Sequence, residues 1–403
     1  MLTERQKDVK KYIAILGFGV VGGGCADVLA QNKKLISERC GFEIEVKYIL
    51  DLRDFPDSPY ADKVVHDYNI ILNDPEVELV AEMMGGSHPA LEFSLSAMKA
   101  KKSVVTSNKE VVATHGLELL ACAKENGVTY MFEASVGGGI PVIHTIDTSL
   151  VQNDIKEIDG ILNGTTNYIL TRMNTSGAAF DEALAEAREK GYAEANPAAD
   201  VDGIDACRKI AILAALAFGR LIAPESIHTE GIRSIDSVDV ANASDAGYAV
   251  KLIGRTFAEN DKICAYVCPM LVGASDPLST VNDVFNGIKI NGDAVGEVML
   301  YGRGAGKMPT ASAVVSDIIN ILTGNGVSYS WRRAEEGEIT DFSDVVSRQY
   351  IRVSGESGLL ASYKKAGDGA YITDAMSEAD ACKLEKALAD EGCEIKARIR
   401  VLA

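Results

Sequence analysis

The chain has 403 residues, which is enough for two or three domains with a large core. Its formal net charge of −18 at pH 7 argues against nucleic acid and anionic membranes as partners. No apolar run approaches the roughly 18 residues of a membrane span, the N-terminus has no apolar leader core, and the eight cysteines are scattered, so we expect a cytoplasmic protein with reduced thiols.

The first informative segment is a strand followed by a glycine-rich turn and a helical pattern. Residues 12–16 are rich in strand formers and run directly into Gly17, Gly19 and Gly22 of a GxGxxG motif. Such glycines allow a tight turn, close approach of a pyrophosphate and close helix–strand packing. The pattern predicts a dinucleotide-binding loop, with a glycine-rich loop of a flavodoxin-like sheet as the alternative.

Polar residues follow the next predicted strands. The strand at 43–50 is followed by Asp51 and Arg53. An acid at this position favours the ribose hydroxyls of NAD, whereas an arginine accommodates the 2′-phosphate of NADP, so the choice between the cofactors stays open. Residues 103–109 form another predicted strand followed by a polar tip, so Lys109 lies at the carboxyl end where parallel sheets bind ligands, and a functional role is favoured over an exposed helix start.

A glycine series follows the predicted strand at 130–134. Glycines in series bring carbonyl oxygens close together, and Glu133 adds a carboxylate, so this segment can hold a hard cation. A hinge between domains is an equally good interpretation of the same spacing.

The densest group of charges lies in residues 191–209, directly before the apolar run at 210–218. A helix from about 203 to 218, with Asp202 as its N-cap, would place Asp205 and Lys209 one turn apart on one face. The alternative is a solvated ion pair that stabilises the helix by about 0.2–0.5 kcal/mol. Acids crowded before a buried helix favour a site that binds a cationic or polar group, with Lys209 as its proton-transfer residue.

Several motifs, taken in order, resemble those of homoserine dehydrogenase. They are GxGxxG at 17–22, SNKE at 107–110, EASVGGGIP at 133–141, ILNGTTNYIL at 161–170, the GYAE-to-RK block at 191–209 and YGRGAGKMPTA at 301–311. The resemblance covers about residues 12–322. It implies NAD(P)-dependent interconversion of L-homoserine and L-aspartate 4-semialdehyde, in threonine, methionine and isoleucine biosynthesis, by a homodimer or tetramer.

The resemblance also implies roles for individual residues. It makes Lys209 the proton-transferring lysine, Asp205 its support, and Lys109 a lysine near substrate and nicotinamide. Glu194 and Asp200 match the acids that hold the substrate ammonium. A sodium ion is expected at Glu133 and at the backbone oxygens of Val136, Gly138 and Ile140. Besides Gly22 and Arg53, the positions expected to line the cofactor are Gly17, Phe18, Gly19, Val20, Ser87, Lys109 and Gly302.

The predicted fold class is α/β, with a Rossmann-type doubly wound parallel sheet, an α+β substrate and dimerisation domain, and a short ACT-like C-terminal unit. The predicted boundaries are 1–140, completed by 305–325, then 141–304, then 346–403. In the last segment residues 362–369 are too few for the full helix, the strand and the turns of an ACT domain, so one strand and most of a helix are predicted to be missing, and we expect a reduced unit with weak or absent L-threonine feedback.

Two other functions compete with this prediction. A nucleotide-responsive binding protein would keep the glycines but would have no need of Lys209 beside Asp205. An acylating semialdehyde dehydrogenase would need a nucleophilic cysteine, for which Cys207 is a poor candidate because the predicted helix buries it.

Overall fold

The computed structural model describes residues 9–402, so the N-terminal leader prediction falls largely outside the described residues. The strands up to residue 152 are β1 (Lys10–Leu16), β2 (Glu43–Leu50), β3 (Val64–Val65), β4 (Val77–Glu82), β5 (Ser103–Thr106) and β6 (Tyr130–Met131). The helices are α1 (Val20–Gln31), α2 (Lys33–Cys40), α3 (Tyr68–Leu72), α4 (Ala90–Lys99), α5 (Lys109–Asn126) and α6 (Val142–His144), which continues as a π-helical turn over Thr145–Ser149.

The next strands are β7 (Ile155–Ile161), β8 (Arg220–Leu221), β9 (His228–Thr229), β10 (Tyr248–Glu259), β11 (Lys262–Gly273), β12 (Phe285–Gly292) and β13 (Gly296–Arg303). They alternate with helices α7 (Gly164–Ser176), α8 (Phe180–Glu189), α9 (Ala198–Val201), α10 (Ile204–Phe218) and α11 (Ser237–Asp245). The last part contains α12 (Lys307–Leu322), β14 (Arg332–Arg333), β15 (Val346–Ser354), β16 (Lys364–Gly367), β17 (Ala370–Ile372), β18 (Met376–Ser377), α13 (Glu378–Asp390) and β19 (Glu394–Val401).

These elements form two compact units. The first unit contains the described residues up to Gln152, together with Gly219–Leu221 and Arg303–Arg333. The second contains Asn153–Phe218, Ile222–Gly302 and the residues from Ala334 onward. Among the described residues, no helix is long and apolar enough to cross a membrane.

The first unit is built on a parallel sheet with strand order β3-β2-β1-β4-β5-β6. This is the order of a dinucleotide-binding Rossmann sheet, so the predicted fold class is confirmed. Helix α12 packs closely on α1, since a Cβ at Gly24 would lie 2.8 Å from the backbone oxygen of Lys307 and 3.0 Å from Ala311 Cβ. A late segment of the chain therefore completes the core of this unit.

The second unit is built on a mixed sheet with order β13-β12-β7-β10-β11-β19-β15-β17-β16. Strands β10 and β11 form a long antiparallel hairpin, and α10 lies against it so closely that a Cβ at Gly254 would be 3.4 Å from Ile210 Cβ. The apolar run that follows Lys209 thus belongs to the hydrophobic core of the second unit. It fixes the start of α10 relative to the sheet.

The C-terminal segment differs from the prediction in two respects. Strand β19 pairs in parallel with β11, with Met270 opposite Arg400, so residues 346–403 share a sheet with the middle part of the chain instead of forming a separate unit. The strand predicted to be missing is present as β16, which forms a hairpin with β17. The missing helix is replaced by a single 3₁₀ turn at Gly358–Leu360.

The hairpin has a local physical reason. Asp368 and Gly369 connect β16 to β17, and Gly369 has φ +63° while a Cβ there would lie 2.4 Å from the backbone oxygen of Val353. Asp-Gly is a favoured pair for two-residue hairpin turns, because the glycine takes a positive φ without steric cost. The chain therefore reverses within eight residues of the 3₁₀ turn.

Candidate active site

Lys209 and Asp205 form a buried ion pair on the first turns of α10. Lys209 Nζ donates to Asp205 Oδ2 at 2.7 Å, and each side chain is 9% exposed. Lys209 Nζ also donates to the backbone oxygen of Leu162, at 2.7 Å, just after β7. An ammonium held by two acceptors in a nearly dry site is fixed in position, unlike the solvated pair that was the alternative interpretation.

Asn163 connects this pair to a further acid. Its Nδ2 donates to Asp205 Oδ2 at 2.9 Å and to Asp200 Oδ1 at 2.7 Å, while its Oδ1 accepts from the backbone N–H of Thr166 and caps α7. The sequence pointed to Asn163 only as part of the ILNGTTNYIL motif at 161–170. Its second role was missed because the amide bonds residues about forty positions away, which no local pattern reveals.

The segment between α8 and α10 carries the other predicted substrate residues. Thr165 Oγ1 donates to the backbone oxygen of Tyr192 at 2.7 Å, which ties this segment to α7. Asp200 is half-buried in α9, whereas Glu194 is exposed. The described hydrogen bonds join Asp200, through Asn163, to the Lys209 pair and leave Glu194 outside that cluster.

The predicted N-cap of α10 is wrong. Asp202 ends α9, and its carboxylate accepts from Arg233, with Nη2 at 3.2 Å from Oδ2. Gly203, with φ +82°, turns the chain, and its backbone oxygen accepts from the N–H of Cys207. A glycine in the left-handed region starts the helix here, so the acid is free to pair with an arginine instead.

Cys207 does not have the properties of a nucleophile. It is buried, its Sγ lies 3.4 Å from the backbone oxygen of Pro224, and burial raises the pKa of its thiol. A reactive cysteine needs an accessible thiolate with a lowered pKa. This argues against acylating chemistry at this position.

In the first unit the glycine motif forms a tight turn between β1 and α1. Gly17 has φ +89° and donates to the backbone oxygen of Leu50 at 2.8 Å, and a Cβ at Gly22 would lie 2.0 Å from the backbone oxygen of Gly17. Around Gly19, by contrast, a Cβ would meet no atom within 4 Å, and α1 begins at the next residue, Val20. The turn leaves an open helix N-terminus, which is suited to a pyrophosphate.

A cavity of about 500 Å³ opens beside this turn. Its lining includes residues that follow β1, β2, β3 and β4, namely Gly17, Gly19, Asp51, Arg53, His66, Met83, Met84 and Gly85. Cavities at the carboxyl ends of parallel strands are where this sheet type binds dinucleotides. Three of the predicted cofactor residues, Gly17, Gly19 and Arg53, thus line one space.

Asp51 and Arg53 bind each other at the edge of the cavity. Arg53 Nε and Nη2 donate to the two carboxylate oxygens of Asp51, each at 3.0 Å, and the backbone N–H of Phe18 donates to Asp51 Oδ2 at 2.8 Å. These hydrogen bonds, led by that of Arg53, lower the pKa of Asp51 to about 2. Asp51, the acid that suits the ribose of NAD, and Arg53, the arginine that suits the 2′-phosphate of NADP, therefore form one bidentate ion pair. The guanidinium is the more exposed of the two groups.

Ser87 lies in the loop after β4, and Lys109 lies at the start of α5, which follows β5. Lys109 is the first residue of this helix, whose N-cap Asn108 accepts from the N–H of Val111 at 3.3 Å. Ser87 Oγ donates to Glu110 Oε1 at 3.1 Å, which joins the loop after β4 to the first turn of α5. Gly302, the remaining predicted cofactor residue, lies at the end of β13.

The predicted cation segment contains an unusual buried acid. Glu133 is 3% exposed, and its two carboxylate oxygens accept from the backbone N–H groups of Ile143, at 3.0 Å, and His144, at 2.6 Å. Burial outweighs these hydrogen bonds and raises the pKa of Glu133 to about 7. Gly137 and Gly138, with φ +74° and +57°, turn the chain between Val136 and Ile140.

Comparison with known proteins identifies the family. The sequence profile for homoserine dehydrogenase matches residues 141–319, and that for its NAD-binding domain matches residues 17–133. The homoserine dehydrogenase of Synechocystis is 44% identical over 77% of this chain and 73% of its own length, and that of Bacillus subtilis is 38% identical over 91% and 84%.

Solved structures agree with these sequence matches. The homoserine dehydrogenase from Thiobacillus denitrificans superposes with a TM-score of 0.90 at 33% identity, with 98% of both chains covered. A hyperthermophilic archaeal homoserine dehydrogenase mutant in complex with NADPH superposes with a TM-score of 0.67 at 29% identity, over 78% of this chain and 98% of the other. The resemblance inferred from the sequence is confirmed, and the chain belongs to the homoserine dehydrogenase family.

Proposed function

We propose that Lys209, held by Asp205, transfers the hydroxyl proton in the reaction of this family, the NAD(P)-dependent interconversion of L-homoserine and L-aspartate 4-semialdehyde. The observation that carries the proposal is the buried 2.7 Å contact between the two side chains, supported by the backbone oxygen of Leu162. A proton-transfer group must be fixed within reach of the reacting oxygen, and this lysine is fixed by two acceptors.

The nicotinamide ring, when bound, supplies or accepts the hydride. The residues of the chain have two other tasks, to orient the amino acid and to move one proton at Lys209 Nζ. Asp200 and Glu194 are the proposed partners of the substrate ammonium. Asn163 donates to both Asp200 and Asp205. It would thereby fix the residue that binds the substrate ammonium relative to the partner of the proton-transferring lysine.

For the cofactor, we propose a site formed by the glycine turn and the cavity beside it. The open space around Gly19 at the start of α1 suits the pyrophosphate. Asp51 is placed to accept from ribose hydroxyls, and the exposed guanidinium of Arg53 to contact a 2′-phosphate, so both NAD and NADP can be used. Phe18, Ser87, Lys109 and Gly302 are proposed to line the remainder of the site.

We also propose that the protein binds a sodium ion, forms a homodimer or tetramer, and is located in the cytoplasm. The oxygen-rich segment from Glu133 to Ile140 has the donor chemistry that a hard monovalent cation needs. Its buried acid carries a raised pKa, which a nearby cation would relieve. Val136, Gly138 and Ile140 would contribute backbone oxygens, and residues 141–304 the dimer interface.

The test is an assay of NAD(P)H oxidation with L-aspartate 4-semialdehyde, run beside calorimetric titration of the nucleotide. Turnover that is lost in Lys209→Ala, with nucleotide affinity kept, is the expected result. Nucleotide binding without turnover in the unaltered chain would instead support a sensing protein.

A further inference from the structure

Glu82, the last residue of β4, is a fully buried carboxylate that none of the assignments above uses. Its side chain is inaccessible to solvent, in the middle of the parallel sheet of the first unit. Burial raises the pKa of Glu82 to about 7, against three opposing hydrogen bonds. A carboxyl group in such a place is costly, and a structural role alone could be filled by an uncharged residue.

One oxygen of Glu82 holds the loop that follows β4. Glu82 Oε1 accepts from the backbone N–H of Met84 at 2.7 Å. Met83, Met84 and Gly85 line the cavity beside the glycine turn. This contact therefore sets the path of the cavity wall directly after the strand ends.

The other oxygen holds the loop that follows β5. Glu82 Oε2 accepts from Thr106 Oγ1 at 2.5 Å, and the same hydroxyl accepts from the backbone N–H of Asn108 at 2.9 Å. Asn108 in turn caps α5 and donates through Nδ2 to the backbone oxygen of Gly86 at 2.7 Å. Hydrogen bonds therefore link the Glu82 carboxylate through Thr106 to Asn108, the residue directly before Lys109.

We propose that Glu82 is a positioning residue that fixes the loop after β4 and the first turn of α5 against each other, and thereby holds Lys109 in place for the reaction. The inference rests on the proposed role of Lys109 near the nicotinamide. Both oxygens of Glu82 act as acceptors, for a backbone N–H and for a hydroxyl. Only a carboxylate, among side chains of this size, offers two acceptor oxygens in that arrangement.

Glu82→Gln tests the proposal with the smallest change of shape. Glutamine presents a donor where one acceptor is needed, so either the Met84 N–H or the Thr106 hydroxyl loses its partner. Because a misplacement of about 1 Å can cost ~10²-fold, kcat should fall by roughly tenfold to a hundredfold in a variant that still unfolds cooperatively and still binds NADPH. Glu78→Gln, on the same strand but exposed, is the matched control and should keep full kcat.

A second pair of variants changes Thr106, which links Glu82 to Asn108, and leaves the carboxylate itself intact. Thr106→Val removes the hydroxyl at nearly constant volume and should reproduce the loss of kcat. Thr106→Ser keeps the hydroxyl and should restore most of the activity. Equal activity of the valine and serine variants would overturn the proposal, even where Glu82→Gln fails to fold.

The decisive measurement is a double-mutant cycle with Lys109→Ala. If Glu82 acts through Lys109, adding Glu82→Gln to Lys109→Ala should cost less than about twofold in kcat, because residues that act as one unit are not additive. The full separate loss in the double variant would overturn the proposal. A Lys109→Ala variant with unchanged kcat would overturn it through its premise, whereas absence of turnover in the unaltered chain would count against the proposed reaction itself.

Discussion

The ammonium of Lys209 lies 2.7 Å from the carboxylate of Asp205, one helical turn earlier, and both side chains are almost completely buried. The same i,i+4 geometry occurs on the surface, where Lys190 Nζ lies 2.9 Å from Glu186 Oε1 with 48% and 28% of the side chains exposed. The two pairs differ in burial and not in spacing. The chain therefore contains its own control for a lysine–carboxylate pair without a catalytic task.

Replacing Lys209 by alanine is expected to lower kcat by about 10²- to 10⁴-fold, the range of general acid–base catalysis. Asp205→Asn should lower kcat less, because the lysine stays but loses the charge that holds it. Steady-state assays with calorimetric titration of NADPH separate catalysis from binding. Lys190→Ala should leave kcat unchanged, and a Lys209→Ala variant with more than about a tenth of the original kcat would contradict the assignment.

Arg53→Ala is expected to weaken NADP more than NAD, because only the 2′-phosphate gains a charge-assisted contact from the guanidinium. The change also releases Asp51 from its bidentate partner, so the affinity for NAD should stay the same or rise. Dissociation constants for both nucleotides provide the comparison. Equal losses for both cofactors would mean that Asp51 alone governs the choice.

Arg400 is expected to be a major contributor to the stability of the second unit. Its guanidinium is 2% exposed and donates to Glu378, at 2.7 and 2.8 Å, and to Glu230, at 2.7 Å. Removal of one partner of a buried ion pair typically costs about 3–5 kcal/mol, so Arg400→Leu should lower the free energy of unfolding in urea by this amount. Lys396→Ala, on the same strand with an exposed partner, should change it by less than about 1 kcal/mol.

Glu230 should make the second unit less stable in acid. Burial alone would raise the pKa of Glu230, but hydrogen bonds from His228 and Arg400 outweigh it and lower the pKa to about 2. A carboxyl group whose pKa is lower in the folded state stabilises that state above its unfolded pKa of about 4.3, and this contribution is lost as the pH falls toward 2. Urea unfolding between pH 5 and pH 2.5 should show a shallower loss of stability for Glu230→Gln. An unchanged slope would be evidence that other carboxyl groups dominate.

L-Threonine is expected to inhibit weakly or not at all. The C-terminal segment, predicted to be a reduced ACT-like unit, has only a 3₁₀ turn at Gly358–Leu360 where an ACT domain would have its first helix, so we expect it to lack a complete effector pocket. Initial rates with increasing L-threonine test this. Half-inhibition at or below about 1 mM, which corresponds to about −4 kcal/mol of binding, would show that the shortened segment still senses an amino acid.

The elements that the sequence predicted well are those with local causes. The glycine turn follows from three glycines between a strand and a helix. Strand β2 and helix α10 were predicted within one residue of their bounds, because an alternating pattern and an apolar run mark them.

Most of the features that the sequence did not predict depend on hydrogen bonds or ion pairs between residues far apart in the chain. One of them, strand β16, depends on a two-residue turn. Asp202 pairs with Arg233 instead of capping α10, and Arg53 pairs with Asp51. Strand β16 was missed although Asp368 and Gly369 are a recognised hairpin signal, because only three residues separate the 3₁₀ turn from the strand. The roles proposed for Asn163 and Glu82 depend on hydrogen bonds to residues far away in the chain, which no local pattern reveals.

The parallel pairing of β11 with β19 has a consequence for synthesis of the protein. Met270 lies opposite Arg400, so the central strands of the second sheet cannot all be joined until the chain has been synthesised at least as far as Arg400. Until then the edge of β11 at Met270 and Leu271 stays open, and such long-range pairing is slow to form. Strand β19 is therefore an interior strand of this sheet that is made long after β11, and a chain that stops before β19 would leave an unpaired edge for other chains to join.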